Sequence, residues 1–244
     1  MRYYLCIDDT DTMETKGTGW LMEQACTEME ERGLGQFSRI SRHQLFVHED
    51  VPYTSHNSSM CVEITACPSA DELVRYMQRY LETRAAHGSD PGLCMISDTL
   101  SEDAWQHLVH FGLAAKTTVL NKKLAYALAK QLSVHLTEHG GTGDGVVGAL
   151  AGVGLRMMGN DGRYRGWHHL GPAGTVMQSG EITRLCTARM ILDENGNPLA
   201  DSVPVILQDR IKLIRRNSQP VLLTHPGTAN EDRHLLSKDM LKKY

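Results

Sequence analysis

Asp8, Asp9 and Asp11 fall close together directly behind the apolar run Tyr3-Tyr4-Leu5-Cys6-Ile7. Like charges crowded this way repel one another. Packing them at a strand end costs free energy unless a cation or strong donors offset it. Hard divalent cations favour such oxygen ligands, and magnesium in particular joins one or two carboxylates to substrate phosphates. Thr10 and Thr12 can add hydroxyl oxygens or hold the turn. A solvated Asx turn uses the same residue types. However, ligand sites gather in loops at the carboxyl ends of strands, and the loop is read as a magnesium and nucleotide site.

A second candidate is His139-Gly140-Gly141-Thr142-Gly143-Asp144-Gly145-Val146-Val147-Gly148, which holds a G-x-G-x-x-G spacing at Gly143, Gly145 and Gly148. Free amides at the start of a following helix receive an anion with help from the helix dipole. A glycine turn leading into a tightly packed helix accounts for the same residues. A dinucleotide fold does not fit, because the motif comes in mid-chain and no acidic strand end follows about twenty residues on. Asp9-Thr10-Asp11-Thr12-Met13 is also similar to the D-x-D-x-T/V pattern of haloacid-dehalogenase-type phosphatases, with Met13 where the pattern has Thr or Val.

The elements that must position these loops follow from periodicity. Residues 3–7 read as a buried strand, and 19–32 as a helix with Leu21, Met22, Ala25, Cys26 and Met29 on one face. Cys61 to Thr65 reads as a strand. Ser69 to Glu72 is a capping box opening a helix with Leu73, Val74, Met77 and Leu81 inward. Leu93 to Ile96 is a short strand, Ser101 caps a short helix, and Asn121 caps one with Leu124, Leu128 and Leu132 inward. The glycine loop leads into an apolar helix over 146–155. Beyond Gly171 the character changes. Residues 182–192 and 203–214 alternate or run apolar with many β-branched residues and flank the turn Asp193 to Pro198, which predicts a hairpin or small β unit. The segment from His225 reads as a surface helix or loose tail. The expected class is α+β, a mixed sheet with flanking helices plus a small C-terminal β unit, divided as 1–175 and 176–244.

Composition narrows the function. The 244 residues are 41% hydrophobic and 22% charged, enough for a real core. A formal net charge of −4 argues against a broad basic face for nucleic acid. No apolar run is long enough for a membrane span, and the apolar start is too short for a signal peptide, so the expected location is cytoplasmic. Six cysteines without a C-x-x-C pair read as buried free thiols.

The strand and loop Ile7-Asp8-Asp9-Thr10-Asp11-Thr12 resembles the signature of the archaeal tRNA-isoleucine agmatinylcytidine synthetase family, TiaS, in its amino-terminal kinase domain. Further islands follow in the same order: Lys16 to Leu21, Val51 to Asn57, Ser89 to Leu93, Val119 to Lys123, and Gly145 to Gly154. Together they cover about residues 1–165.

The resemblance implies ATP and magnesium at the acidic loop, with Asp8, Asp9 and Asp11 as metal ligands and catalytic residues. Thr18 matches a threonine of the family that takes part in phosphoryl chemistry; it also suits the N-cap of the first helix. Thr10, Thr12, Lys16, Gly17, His56, Asn57, Gly143, Gly145 and Gly148 are the expected nucleotide contacts. The family activates a cytidine carbonyl with ATP before an amine displaces the oxygen. Where the family has Tyr-Lys-Thr-Arg-Gly-Asn, this chain has Tyr53-Thr54-Ser55-His56-Asn57-Ser58, losing two cations. Asp144 stands where the family's glycine loop carries Arg. Lys16, His56, Lys122 and Arg165 are the candidates to restore positive charge. The family's OB-fold and zinc ribbon, which grip tRNA, have no counterpart in these residues.

The expected function is an ATP- and magnesium-dependent kinase or ligase acting on a small molecule or exposed nucleotide, with weak tRNA binding on its own. The alternatives are a non-catalytic nucleotide-binding or RNA-associated subunit and a magnesium-dependent phosphatase.

Overall fold

The computed structural model describes residues 1–51, 57–227 and 232–244. They form two compact units, Met1–Met158 and Gly159–Tyr244.

The first unit is built on strand β1 (Tyr3–Asp8), helix α1 (Thr18–Glu31), strands β2 (Gln36–Phe37), β3 (Ser41–Gln44) and β4 (Ser58–Thr65), and helix α2 (Ala70–Arg84). Strand β5 (Gly92–Ser97), helices α3 (Glu102–Ala114) and α4 (Lys122–Leu132), strand β6 (His135–Glu138) and helix α5 (Gly145–Met158) complete it. The strands run in the order β6-β5-β1-β4-β3, with β2 also on β4, and every pair is antiparallel.

Strand β1 is the buried centre, so its successive residues feed two cores. Leu5 and Ile7 pack with Met22, Met29, Leu73 and Met77, while Tyr4 and Cys6 pack with Val146, Leu150 and Val153. A three-layer arrangement of helix, sheet and helix results. Helices α3 and α5 approach closely because they meet at glycines: a Cβ at Gly154 would collide with Leu108 O, and one at Gly112 would fall 2.8 Å from Ala151 O.

The helix starts hold largely as read. Ser69, Ser101 and Asn121 each accept a hydrogen bond from a first-turn amide. Two expectations need correction. Helix α1 begins at Thr18 with Gly17 as its N-cap, so Thr18 lies inside the first turn. Helix α4 turns Ala125 and Ala129 inward, and Leu124 is 51% exposed. Leu128 and Leu132 do pack against that core, from its edge, so only Leu124 leaves the expected face.

Arg156 is the largest buried charge of the unit. At 1% exposure it donates to Glu63 Oε1 (3.0 Å), Ser38 Oγ (2.9 Å) and Arg39 O (3.3 Å). Removing it leaves the partly buried Glu63 with only the more distant Arg2, 3.7 Å away, and empties a buried site, so Arg156→Ala is expected to cost about 3–5 kcal/mol. Urea unfolding checks this, and a loss below about 1 kcal/mol, the range of exposed pairs, would contradict it.

The second unit contains β7 (Arg163–Tyr164), β8 (Val176–Gln178), α6 (Ser179–Cys186), β9 (Met190–Leu192), β10 (Pro204–Ile206), β11 (Ile214–Arg216), β12 (Gln219–Pro226) and β13 (Arg233–Leu235). The order is β7-β11-β12-β13-β10-β8, with β9 on β12. The pairs β12–β9 and β10–β13 are parallel. Across the chain the class is α+β with mixed pairing, as expected.

Of the two readings of this region the small β unit holds and the hairpin is corrected. Ile182 and Cys186, spaced at i and i+4, lie in α6. Strand β9 pairs with β12, and β10 with β8 and β13. The turn at Asp193 is real but local: its side chain accepts from the amides of Asn195 and Asn197, and a single bridge joins Leu192 to Pro198. The loose tail is corrected too, since Leu235, Leu236 and Leu241 are buried. Among the described residues no helix is long and apolar enough to cross a membrane, and all six cysteines are free.

Candidate functional site

The chain leaves β1 through Asp9, which takes a left-handed backbone (φ 50°). Asp tolerates this conformation better than most residues, because its short polar side chain bonds locally. The loop then returns to the start of α1. Thr18 N–H and Oγ1 both donate to Asp11 Oδ1, at 3.2 and 2.7 Å, and Thr10 N–H donates to Thr18 Oγ1 at 3.4 Å. Gly17 provides no side-chain cap, so Asp11 serves the helix start from outside, where the dipole favours a negative group.

The glycine loop meets the acidic loop at the opposite side. Gly92 and Gly145 approach backbone to backbone; a Cβ on either would collide with the other segment. That approach seats the first turn of α5 against the ends of β1 and β5. A Cβ at Gly148 would collide with Asp8 Oδ2, and one at Gly145 would lie 3.2 Å from Asp9 Cβ. Gly148 therefore leaves the notch that Asp8 fills. Gly143 needs its freedom for a second reason, a φ of 81°. The loop is pinned through Thr142, whose N–H and Oγ1 donate to Asp90; the Oγ1 also lies 3.1 Å from Asp144 Oδ2. Strand β6, which precedes the loop, is antiparallel to β5, so this is no dinucleotide-binding turn.

Charge accumulates here. Burial, reinforced by the Asp9 charge, pushes the Asp8 carboxyl up to about 8. Burial followed by the charges of Asp90, Asp11 and Asp144 pushes Asp9 up to about 6. Asp90 and Asp144 thus join a group of which sequence had singled out only the first three members. Asp90 lay hidden in the turn before β5; the signal that could have found it is its place between two glycine-bearing segments that must approach.

The remaining expected residues are placed as follows. Thr12 N–H donates to Thr15 Oγ1 (2.8 Å) on the exposed side of the loop. Lys16 Nζ lies 4.3 Å over the Trp20 ring. Asn57 is engaged in the connector between β3 and β4, donating to Phe46 O at 2.6 Å. His56 lies outside the described residues.

The donor set suits magnesium. Among the described residues no three acidic, His or Cys side chains converge as a ready cage. Magnesium needs none, because one or two carboxylates suffice when phosphate oxygens and water complete its shell. The oxygens are hard, burial disfavours the ionised form of Asp8 and Asp9 in a way that a cation would reverse, and the buried Thr10 Oγ1 has no hydrogen-bond partner.

A scan against protein-family models gives no match, and neither does a search of curated proteins. Solved structures do match. The crystal structure of apo TiaS, the agmatidine synthetase of an isoleucine tRNA, is 24% identical with a TM-score of 0.54, covering 63% of this chain and 35% of that one. The complex of TiaS with its tRNA and ATP is 26% identical with a TM-score of 0.54, covering 63% and 36%. A tRNA fluorescent labeling enzyme is 23% identical with a TM-score of 0.55, covering 74% and 42%. This chain thus spans about a third of the length of the TiaS structures that it matches. The resemblance carried by Ile7 to Thr12 and the islands that follow, over about residues 1–165, is borne out at the level of structure: over 63% of its length this chain shares the fold of TiaS.

Proposed function

We propose that Met1–Met158 is the catalytic part of an ATP- and magnesium-dependent enzyme that transfers or activates a phosphoryl or nucleotidyl group. One observation carries the reading: the acidic loop and the start of α5 share a single place, with Asp8 seated in the notch of Gly148 and Asp9 against Gly145. The likeness to a TiaS complex that holds ATP supports it.

In this reading the amides of the glycine loop and of the first turn of α5 receive phosphate oxygens. Asp8, Asp9 and Asp11 face them with oxygen ligands. Magnesium bound there would offset charge on the transferring group. The Thr18 hydroxyl, which donates to Asp11 at 2.7 Å, would pass its proton to that carboxylate as it attacks the γ-phosphorus of ATP, while the bond from that phosphorus to the bridging oxygen breaks and ADP leaves. The acceptor is a small molecule or an exposed nucleotide.

Calorimetric titration tests the reading. ATP is expected to bind at least about tenfold more tightly with magnesium than in EDTA, since the metal links phosphate to carboxylate. Equal affinities would contradict it.

The same reading expects weak tRNA binding by this chain alone, around 10⁻⁴–10⁻⁶ M at physiological salt. The basic cluster at 212–216 has other work. Lys212 Nζ donates to Gly166 O and lies over Trp167. Arg215 is buried and bonds Tyr164 and Ser218, and Arg216 bonds Asn160 O and lies over Tyr244. Filter binding across salt concentrations checks this. Tight binding that survives moderate salt and is lost in Arg216→Ala would contradict the small-substrate reading.

A further inference from the structure

Lys122 opens α4, and its Nζ reaches the glycine loop, donating to Thr142 O and to Glu138 Oε2 (3.3 Å). Glu138 ends β6, and its carboxylate fills the space that a Cβ at Gly143 would need. At the same residue, Thr142 N–H and Oγ1 donate to Asp90. Asp144 and Gly145 follow within three residues, and Gly145 packs against Asp9. A continuous set of bonded and packed groups therefore runs from Lys122 to the acidic loop.

Asp90, before β5, and Asp144, in the glycine loop, stand close enough to add their charge to that of Asp11 at Asp9. A polyphosphate adds negative charge to this group, and its binding calls for a cation on the phosphates. Lys16 is drawn onto Trp20. Lys122, by contrast, is 42% exposed at its side chain, has a flexible stem, and is tethered to a partner that is itself 46% exposed. An ion pair so open to water is worth little, so exchanging the Glu138 oxygen for a phosphate oxygen is a small change for the lysine.

We propose that Lys122 is the phosphate-binding cation of this site, held on Glu138 and the glycine loop in the free protein and passed to the β- and γ-phosphates of a bound nucleoside triphosphate. The proposal rests on the nucleotide reading above. It assigns the positive group on the phosphates to α4 and gives Glu138 the role of a competing anion.

The test is calorimetric titration of ATP and AMP, with magnesium, into the full chain and its Lys122→Met, Lys122→Arg and Glu138→Gln variants. Lys122→Met is expected to weaken ATP binding about tenfold or more while leaving AMP within about twofold, because the lost contact is a charge-assisted bond to the outer phosphates. Lys122→Arg keeps the charge and stays within about threefold of wild type for ATP. Glu138→Gln binds ATP at least as tightly as wild type. A lysine that merely clamped the loop would lower ATP and AMP together, and Glu138→Gln would then fall with Lys122→Met; either result overturns the proposal. Wild-type binding of ATP with unchanged affinity in Lys122→Met overturns the Lys122 assignment alone. No ATP binding by wild type overturns the nucleotide reading with it.

Discussion

Asp9→Asn is expected to lower the proposed ATP-dependent turnover by about 10²–10³-fold or more, the scale on which removing one positioned electrostatic group acts, and to leave the protein folded. Both halves follow from where Asp9 stands. Its carboxyl is pushed up to about 6 by burial and by Asp90, Asp11 and Asp144, so the metal-free protein gains when this charge is removed. The backbone at Asp9 is left-handed, and Asn accepts that conformation as readily as Asp. The substitution therefore removes the ligand charge without straining the turn. Steady-state assays beside a thermal melt give both numbers. Normal turnover would exclude Asp9 from the chemistry, and failure to fold would make the loop a structural turn.

The second large effect is on stability, and its sign is unusual for an aspartate. The Asp8 carboxyl sits at about 8 in the folded protein against an ordinary 3.8, so the folded state binds the proton more tightly than the unfolded chain. The stability this gives is fully present below about pH 4 and is lost as pH rises to about 8. Each unit of difference corresponds to about 1.4 kcal/mol, and allowing for relaxation around the ionised group the loss is on the order of 3–5 kcal/mol. Asp8→Asn removes the dependence. In EDTA it is expected to exceed wild type by about 3 kcal/mol at pH 8 and to match it near pH 4. Asp9 shifts in the same direction, and Asp193 and Asp239 in the opposite one, so the quantity to read is the difference between mutant and wild type in urea unfolding. A difference independent of pH would contradict a buried, protonated Asp8. A stability penalty of this kind suits a group kept for a cation, because binding the cation recovers what the apo protein lacks.

Both loops of the site were legible as sequence, because crowded carboxylates and spaced glycines have few uses. Their meeting was not. Asp9 and Gly145 are brought together by the β1–β5 pair and by the close approach of Gly92 to Gly145, and no local pattern encodes a pairing over that separation. Asp90 was visible only as part of the Ser89 to Leu93 island for the same reason, since its charge counts only once the fold sets it near Asp9. In the first unit strong periodicity marked the main helices and the central strands. It misled at α4 for Leu124 alone: the small Ala125 and Ala129 fill the packed face, with Leu128 and Leu132 against its edge. In the second unit, Ile182 and Cys186 sit in a β-branched context that reads as strand, yet their spacing is that of one helical face and the helix prevails. The polar composition beyond His225 concealed Leu235, Leu236 and Leu241, three scattered apolar residues that suffice to dock the chain's end in the core.

The most direct test of the central claim is a crystal structure of the protein with manganese and a non-hydrolysable ATP analogue, with the metal located by its anomalous signal. The expected result is a metal within about 2.0–2.6 Å of an oxygen of Asp8, Asp9 or Asp11 and of the analogue's phosphates, with those phosphates on the amides of residues 143–148. A nucleotide bound away from the glycine loop, or a metal that touches none of the three aspartates, would contradict it.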